Sequence, residues 1–335
     1  MKLDSANRSF VALVVLAVVP YALLGLLGCG VLSLVVYRVG AHGLSGLTQD
    51  GQDLRPAALF FALITSGTVV AGLSVRRQVL ATRRLADAIA SQSKPLPSGL
   101  AQIADAVGLA GRVDLWADAR PCSFTYGLFS PRVAVSHGLL DAVGDEELAA
   151  VLHHEQYHVR NRDTLKVVVA RAAPSAFFFL PVLRALRDRY LAARELAADR
   201  RAVRAVGERH VAGALYKALD APDLPDLGAA AALGGRAFLD ARVEQLEAGT
   251  EPSPASLSRP AVAGTVIGLA VLTVTLALAV TNGGSDGGMS MDESMGGGGL
   301  GIATSAVGWR VCIAGWAVGG YLLVVRRARR HHRPA

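Results

Sequence analysis

The stretch Leu152-His153-His154-Glu155-Gln156-Tyr157-His158 places two histidines four residues apart, with a glutamate directly after the first of them. Residues at i and i+4 share one face of an α-helix, so on a helix His154 and His158 can direct imidazole nitrogens at one Zn²⁺. Glu155, next to the first ligand, then reaches water at the metal, and the pattern predicts a peptide-hydrolysing zinc site with Glu155 as the general base that later protonates the leaving amine. His153, beside the motif, is expected to be solvated. The context is helical: Asp145, Glu146 and Glu147 fill a first turn, where carboxylates favour the positive end of the dipole, ahead of Leu148 to Arg160.

A catalytic zinc takes three protein ligands and keeps a fourth position open. The third candidate lies downstream in Arg194-Glu195-Leu196-Ala197-Ala198-Asp199-Arg200. Glu195 and Asp199 share a helix face there, so Glu195 is expected to bind the metal and Asp199 to orient a ligand histidine. A surface pair of charges among arginines is the competing reading of the same spacing. Asp163, five residues beyond His158, is expected to brace the site.

The composition, 52% hydrophobic over 335 residues, exceeds what a soluble core of this size needs. Four apolar runs read as membrane spans: Phe10 to Tyr37, Pro56 to Val75, Pro260 to Val280 and about Ala306 to Val325. The first, interrupted by Pro20, is too long for a signal peptide and reads as a retained anchor. Arg76, Arg77, Arg83 and Arg84 follow the second run, and Arg326, Arg327, Arg329, Arg330 and Arg333 follow the fourth, which places both termini and the middle region in the cytoplasm. Basic flanks of this kind suit anionic lipid headgroups, so the net charge of +7 calls for no direct contact with nucleic acid. The fold class expected is an α-helical membrane protein of about four transmembrane helices carrying a mainly α, α+β zincin-like cytoplasmic domain. Its divisions are 1–75 for two helices and a short loop, 76–255 for the metallopeptidase domain, and 256–335 for two helices, a loop over 281–301 and a basic tail.

Within the middle region, helical spacing over Arg76 to Ser91 leads into a Ser/Pro-rich linker, Ser91 to Ser98, and a helix from about Leu100 to Gly108. Two strand-like runs follow, Arg112 to Trp116 and Arg132 to Ser136, and the proline-bracketed aromatic segment between them suggests an exposed edge. Val167 to Leu183 is apolar but holds Arg171, Pro174 and Pro181, which favours a buried, re-entrant or interfacial segment and a domain partly associated with the membrane around 167–183. A helix from about Leu183 to Val206 comes next. Cys29, Cys122 and Cys312 are scattered, with no C-x-x-C spacing and no disulfide expected.

The combined pattern resembles the BlaR/MecR-type membrane metallopeptidases, gluzincins that sense a signal and cleave a repressor. His154, Glu155 and His158 match the zinc motif of that family, and Glu195 with Asp199 matches its downstream E-x-x-x-D. The stretch from Phe124 to Val133 looks like its strand before the catalytic helix, and Arg242-Val243 with Leu246 is similar to a late helical motif. The resemblance implies an extended substrate strand added along Phe124, Thr125, Tyr126 and Gly127, one zinc per chain, and a protein substrate such as a winged-helix repressor of the BlaI, MecI or CopY kind. A homodimer is compatible with it. HtpX-like quality-control proteases share the zinc motifs and stand as the alternative. His210, Arg236 and Arg242 are open candidates for the oxyanion donor. The chain ends at Ala335, so no penicillin-binding sensor is expected. The glycine-rich loop carrying Met289, Met291 and Met295 offers soft thioethers suited to extracytoplasmic metal sensing, or is a flexible linker.

Overall fold

The computed structural model describes residues 5–18, 55–219, 231–232, 238–253 and 256–281, with the single positions 21, 25, 28 and 40. A first helix, α1, covers 5–18. The elements that follow are α2 (Arg55–Ser91), β1 (Ser93–Lys94), α3 (Ser98–Val107), β2 (Val113–Trp116), β3 (Ser123–Tyr126), β4 (Arg132–Ser136) and α4 (His137–Ala142). Then come α5 (Asp145–Asn161), α6 (Asp163–Ala176), α7 (Pro181–Val206), α8 (Glu208–Leu219), β5 (Ala231–Ala232), α9 (Leu239–Ala248) and α10 (Arg259–Thr281). Two compact units divide the chain, Met1–Ala17 with Ser66–Ile267 and Val18–Thr65 with Gly268–Ala335. The site described below belongs to the first.

The strands order as β1-β2-β4-β3-β5, with β2 and β4 parallel and the other pairs antiparallel. Alternation along the strands divides their side chains between two faces. Val113, Leu115, Val133 and Val135 join Leu100, Leu139, Leu148 and Leu152 in one apolar cluster, whereas Phe124, Tyr126 and Ala134 join Ile89 and Cys122 in another. Leu139 and Leu152 are fully buried, each contributing about 2 kcal/mol of hydrophobic stabilisation. Ser123 stands opposite Val135 and Thr125 opposite Val133, so these two polar side chains face the same way as the first cluster, towards α5. The β3–β4 turn depends on Gly127, whose φ of 85° and 2.7 Å clearance from the Ser130 carbonyl oxygen exclude a Cβ. Where α4 begins, the backbone N–H of Gly138 donates to the carbonyl oxygen of Asp118, and the Ala119 carbonyl fills the space a side chain would need.

Several expectations are corrected. Among the described residues no helix is long and apolar enough to cross a membrane, which overturns the class with about four transmembrane helices. The physical reasons differ from run to run. The start of the first run belongs to α1, which buries Ala6, Leu13 and Ala17 and stacks Phe10 against Tyr190 at 5.2 Å, so one face of that run serves protein packing. The second run is the first part of α2, where Ser66, Gly67, Thr68, Gly72 and Ser74 dilute the apolar residues and the same helix continues through Arg76 and Arg77. In α10, Thr265 and Thr273 interrupt the apolar residues and bond back to the carbonyls of Ala261 and Leu269. The fourth run, the methionine loop with Met289, Met291 and Met295, and the candidate Arg236 lie outside the described residues.

The segment Phe124–Gly127 is not an open sheet edge either. β3 is buried along its length, and β5 pairs with it, Ala232 opposite Phe124 and Ala231 opposite Thr125. Ser91 to Ser98, read as a linker, contains β1, which adds a fifth strand beside β2. Val167 to Leu183 spans the end of α6 and the start of α7, with Phe177 buried and Phe178 exposed in the turn between them.

Candidate metal centre

Helix α5 starts as its sequence requires. Glu147 accepts the N–H of Gly144 at 3.0 Å, caps the first turn with its carboxylate, and pairs with Lys217 of α8 at 2.5 Å. The helix packs on α3, α7, α8 and β3 at once, which buries His154, Glu155, Gln156 and His158. It ends at Arg162, whose φ of 52° is in the left-handed region, a costly choice for a residue with a Cβ. That turn starts α6 directly at Asp163 and brings its carboxylate back beside His158.

Three side chains converge. His154 and His158 stand one turn apart on α5, with their Nε2 atoms 3.2 Å from each other. Glu195 of α7 places Oε2 at 3.5 Å from the first Nε2 and Oε1 at 3.8 Å from the second. One ligand atom from each lies within 4.8 Å of the others, and all three residues are buried, so the group could hold a metal ion. The other ring nitrogens are engaged: Nδ1 of His154 meets Asp199 Oδ1 at 2.8 Å, and Nδ1 of His158 meets Asp163 Oδ2 at 2.7 Å. Each carboxylate calls for an N–H on the nitrogen it faces, which leaves both Nε2 lone pairs directed into the cluster. Two lone pairs and a carboxylate facing one point repel one another until a cation lies between them.

The electrostatics have the same cause. Burial disfavours a charged His154, yet without a metal ion Asp199 and Glu195 outweigh it and raise its pKa to about 9, so that a bound cation takes the place of a proton on Nε2. Burial also works against an ionised Glu195, but Arg194, His158 and His154 hold its carboxyl far below the usual range. Asp199 behaves likewise, with Arg242 and His154 overcoming its burial.

Glu155 is fully buried and approached from the sheet. Thr125 Oγ1 donates to its Oε2 at 2.7 Å and Ser123 Oγ lies 3.2 Å from its Oε1. The two hydroxyls sit two residues apart on β3, the spacing that puts both on the face towards α5. Thr125 is thus Glu155's partner, whereas Phe124 and Tyr126 belong to the opposite face. Tyr126 bonds Asp114 at 2.5 Å there, beside the Arg132–Asp114 pair.

Further residues complete the surroundings. Arg242 of α9, with a side chain only 1% exposed, grips Asp199 with two bonds of 2.7 Å, Nε to Oδ2 and Nη2 to Oδ1. It supports an orienting carboxylate from behind; His210, the other described oxyanion candidate, is not among the metal-binding group. Tyr190 donates to Asp163 at 3.3 Å. Arg194 is buried with Nη2 at 3.1 Å from Glu195, while its Nε and Nη1 have no hydrogen-bond partner among the described residues. The helix spacing of Arg194 to its neighbours gave no sign of this, and the sign for Ser123 was the i, i+2 repeat of small hydroxyls before Tyr126.

The family model described as BlaR1 peptidase M56 matches residues 58–243, more than half of the chain, from α2 to one residue past Arg242. The chain belongs to the M56 peptidase family. This M56 chain is also similar to curated proteins named protease HtpX homolog. It is 29% identical to that of Herminiimonas arsenicoxydans over 49% of this chain and 58% of the relative. Identity is 37% to that of Bordetella petrii over 23% of this chain and 27% of the relative, and 45% to that of Methanopyrus kandleri over 20% and 22%. The alignments thus span about a quarter of the length of the latter two relatives.

Proposed function

We propose that this protein is a zinc-dependent endopeptidase. The observation that carries the reading is the convergence of His154, His158 and Glu195, with Glu155 next to the first ligand on the same helix. Ligand atoms about 2.0–2.2 Å from a tetrahedral zinc stand about 3.3–3.6 Å from one another. The 3.2 Å between the two Nε2 atoms and the 3.5 Å from His154 Nε2 to Glu195 Oε2 are close to that figure, the 3.8 Å to His158 Nε2 being measured from the other carboxylate oxygen, and the two-nitrogen, one-carboxylate donor set is one that zinc uses for hydrolysis. When bound, zinc supplies a water of lowered pKa and polarises the peptide carbonyl. Asp199 and Asp163 hold the two imidazoles in the tautomer that offers Nε2. Glu155 takes the proton of the attacking water at a carboxylate oxygen and returns it to the leaving amine nitrogen. Ser123 and Thr125 hold that carboxylate in place, so its own motion does not have to be frozen during reaction.

The proposed substrate is a cytoplasmic protein of the winged-helix repressor kind, cut in response to a signal; its support is the family membership and the motif resemblance. The HtpX homologues favour a second reading, a protease acting on unfolded membrane protein. Exposed Val69, Val70 and Leu73 on α2 and Val262, Val266 and Ile267 on α10 favour association with a bilayer. Metal analysis of the purified full chain tests the central claim. About one zinc is expected in the wild type and in Glu155→Gln, with loss in His158→Ala, and peptide cleavage only in the wild type. Well-folded wild type without zinc overturns the proposal. Selective cleavage of a repressor over an unfolded protein supports the first substrate reading, and the reverse supports the second.

A further inference from the structure

Two residues beyond each metal-facing position on α5 and α7, about 200° further round the helix, the side chains point the opposite way. Those positions, Gln156, Arg160 and Ala197, line a pocket of about 410 Å³ together with Asn161, Arg200, Arg201 and Arg204. Tyr157 forms the rest of its wall, and no lining residue is acidic. Arg200 is tied to Glu251. Arg160, Arg201 and Arg204 are exposed and make no ion pair among the described residues.

Four guanidinium groups around one concavity repel one another, and a single carboxylate at one corner does not offset them. The planar fork of a guanidinium matches the oxygens of a phosphate group with paired N–H donors, and several forks together select a multiply charged tetrahedral anion over a monoanion.

We propose that this pocket binds a phosphate group, either free or carried by a lipid headgroup. It lies behind the same helix pair that bears the metal ligands, so its occupant shares α5 and α7 with the site on the other face. The binding does not depend on peptidase activity and is read without it.

The test uses the full-length protein and three probes: inorganic pyrophosphate, vesicles of phosphatidic acid, a phosphomonoester, in phosphatidylcholine, and vesicles of phosphatidylcholine alone. All are compared at matched ionic strength by calorimetric titration or co-sedimentation. The Arg201→Gln/Arg204→Gln variant changes exposed side chains only, and Arg112→Gln/Arg209→Gln, also exposed and outside the pocket, serves as a control of equal charge. The expected result is binding that weakens at least tenfold in the pocket variant, stays within twofold in the control, and leaves the circular dichroism spectrum unaltered. Binding of pyrophosphate identifies a free phosphate as the occupant, whereas binding of anionic vesicles alone identifies the headgroup. Absence of binding to either probe, or equal loss in the two variants, overturns the proposal.

Discussion

Replacing Arg242 by methionine removes the two 2.7 Å bonds that the guanidinium makes to Asp199 and leaves a side chain of similar length in the same space. Both charges are buried, at 1% and 0% side-chain exposure. Breaking such a pair from one side costs about 3–5 kcal/mol, because the remaining charge has neither water nor partner. Asp199 keeps its bond to His154, which points to the lower end, about 3 kcal/mol. For a unit of this size that is a fall in melting temperature of about 6–12 °C. Zinc affinity should drop about 10–100-fold, since Asp199 no longer holds the imidazole of His154 as firmly. Calorimetry on metal-stripped protein measures the first quantity and chelator competition the second. The decisive comparison is Arg242→Met/Asp199→Asn, which removes both charges and should recover about 1–2 kcal/mol relative to Arg242→Met alone. If Arg242→Met unfolds within about 0.5 kcal/mol of the wild type, or the double variant is as unstable as the sum of the single ones, the charge-pair argument is refuted.

Thr125→Val removes the hydroxyl 2.7 Å from Glu155 and should lower kcat about tenfold or more while zinc content stays at the wild-type level; a parallel loss of zinc would contradict a role confined to Glu155. Asp163→Asn weakens the partner of His158 Nδ1, and chelator competition should find zinc bound about tenfold less tightly. Asp114 titrates below its ordinary value of 3.8: burial opposes this, but the bonds from Arg132 and Tyr126 prevail. A depressed folded-state pKa means stability that is full above pH 3.8 and is lost as the pH falls through the lower folded value, so Asp114→Asn should flatten the acid limb of the stability curve. An acid limb unchanged in that variant would show that other carboxylates dominate.

The local parts of the site were legible because helix geometry couples spacing to direction. His154, His158 and Glu155 follow from four residues and one helix, and Glu195 with Asp199 from a second stretch of the same kind. Asp163 was half legible, since its proximity to His158 depends on a left-handed Arg162 that no periodicity announces. Contacts between distant segments were not. The bond from Thr125 to Glu155 spans 30 residues and that from Arg242 to Asp199 spans 43, and each needs the sheet or α9 to be docked first. The apolar runs misled for a different reason. Summed hydropathy does not register that α1 spends one face on Tyr190, or that α2 dilutes its apolar residues and carries on through arginines. The pairing of β5 on β3 comes from two alanines, which carry no strand signal of their own.

The distance in sequence between Asp199 and Arg242 also sets an order of events. A chain made from its N-terminus has both histidines, both carboxylate partners and Glu195 in hand before α9 exists. Of the two groups that bond the Asp199 carboxylate, the His154 imidazole and the Arg242 guanidinium, only the first belongs to that earlier stretch. Arg242 closes the arrangement from outside on the His154 side alone, since His158 is held by Asp163. The stretch of sequence that carries every candidate metal ligand therefore ends before the residue that steadies one of them, and a fragment stopping short of α9 would hold the ligands without the clamp on Asp199.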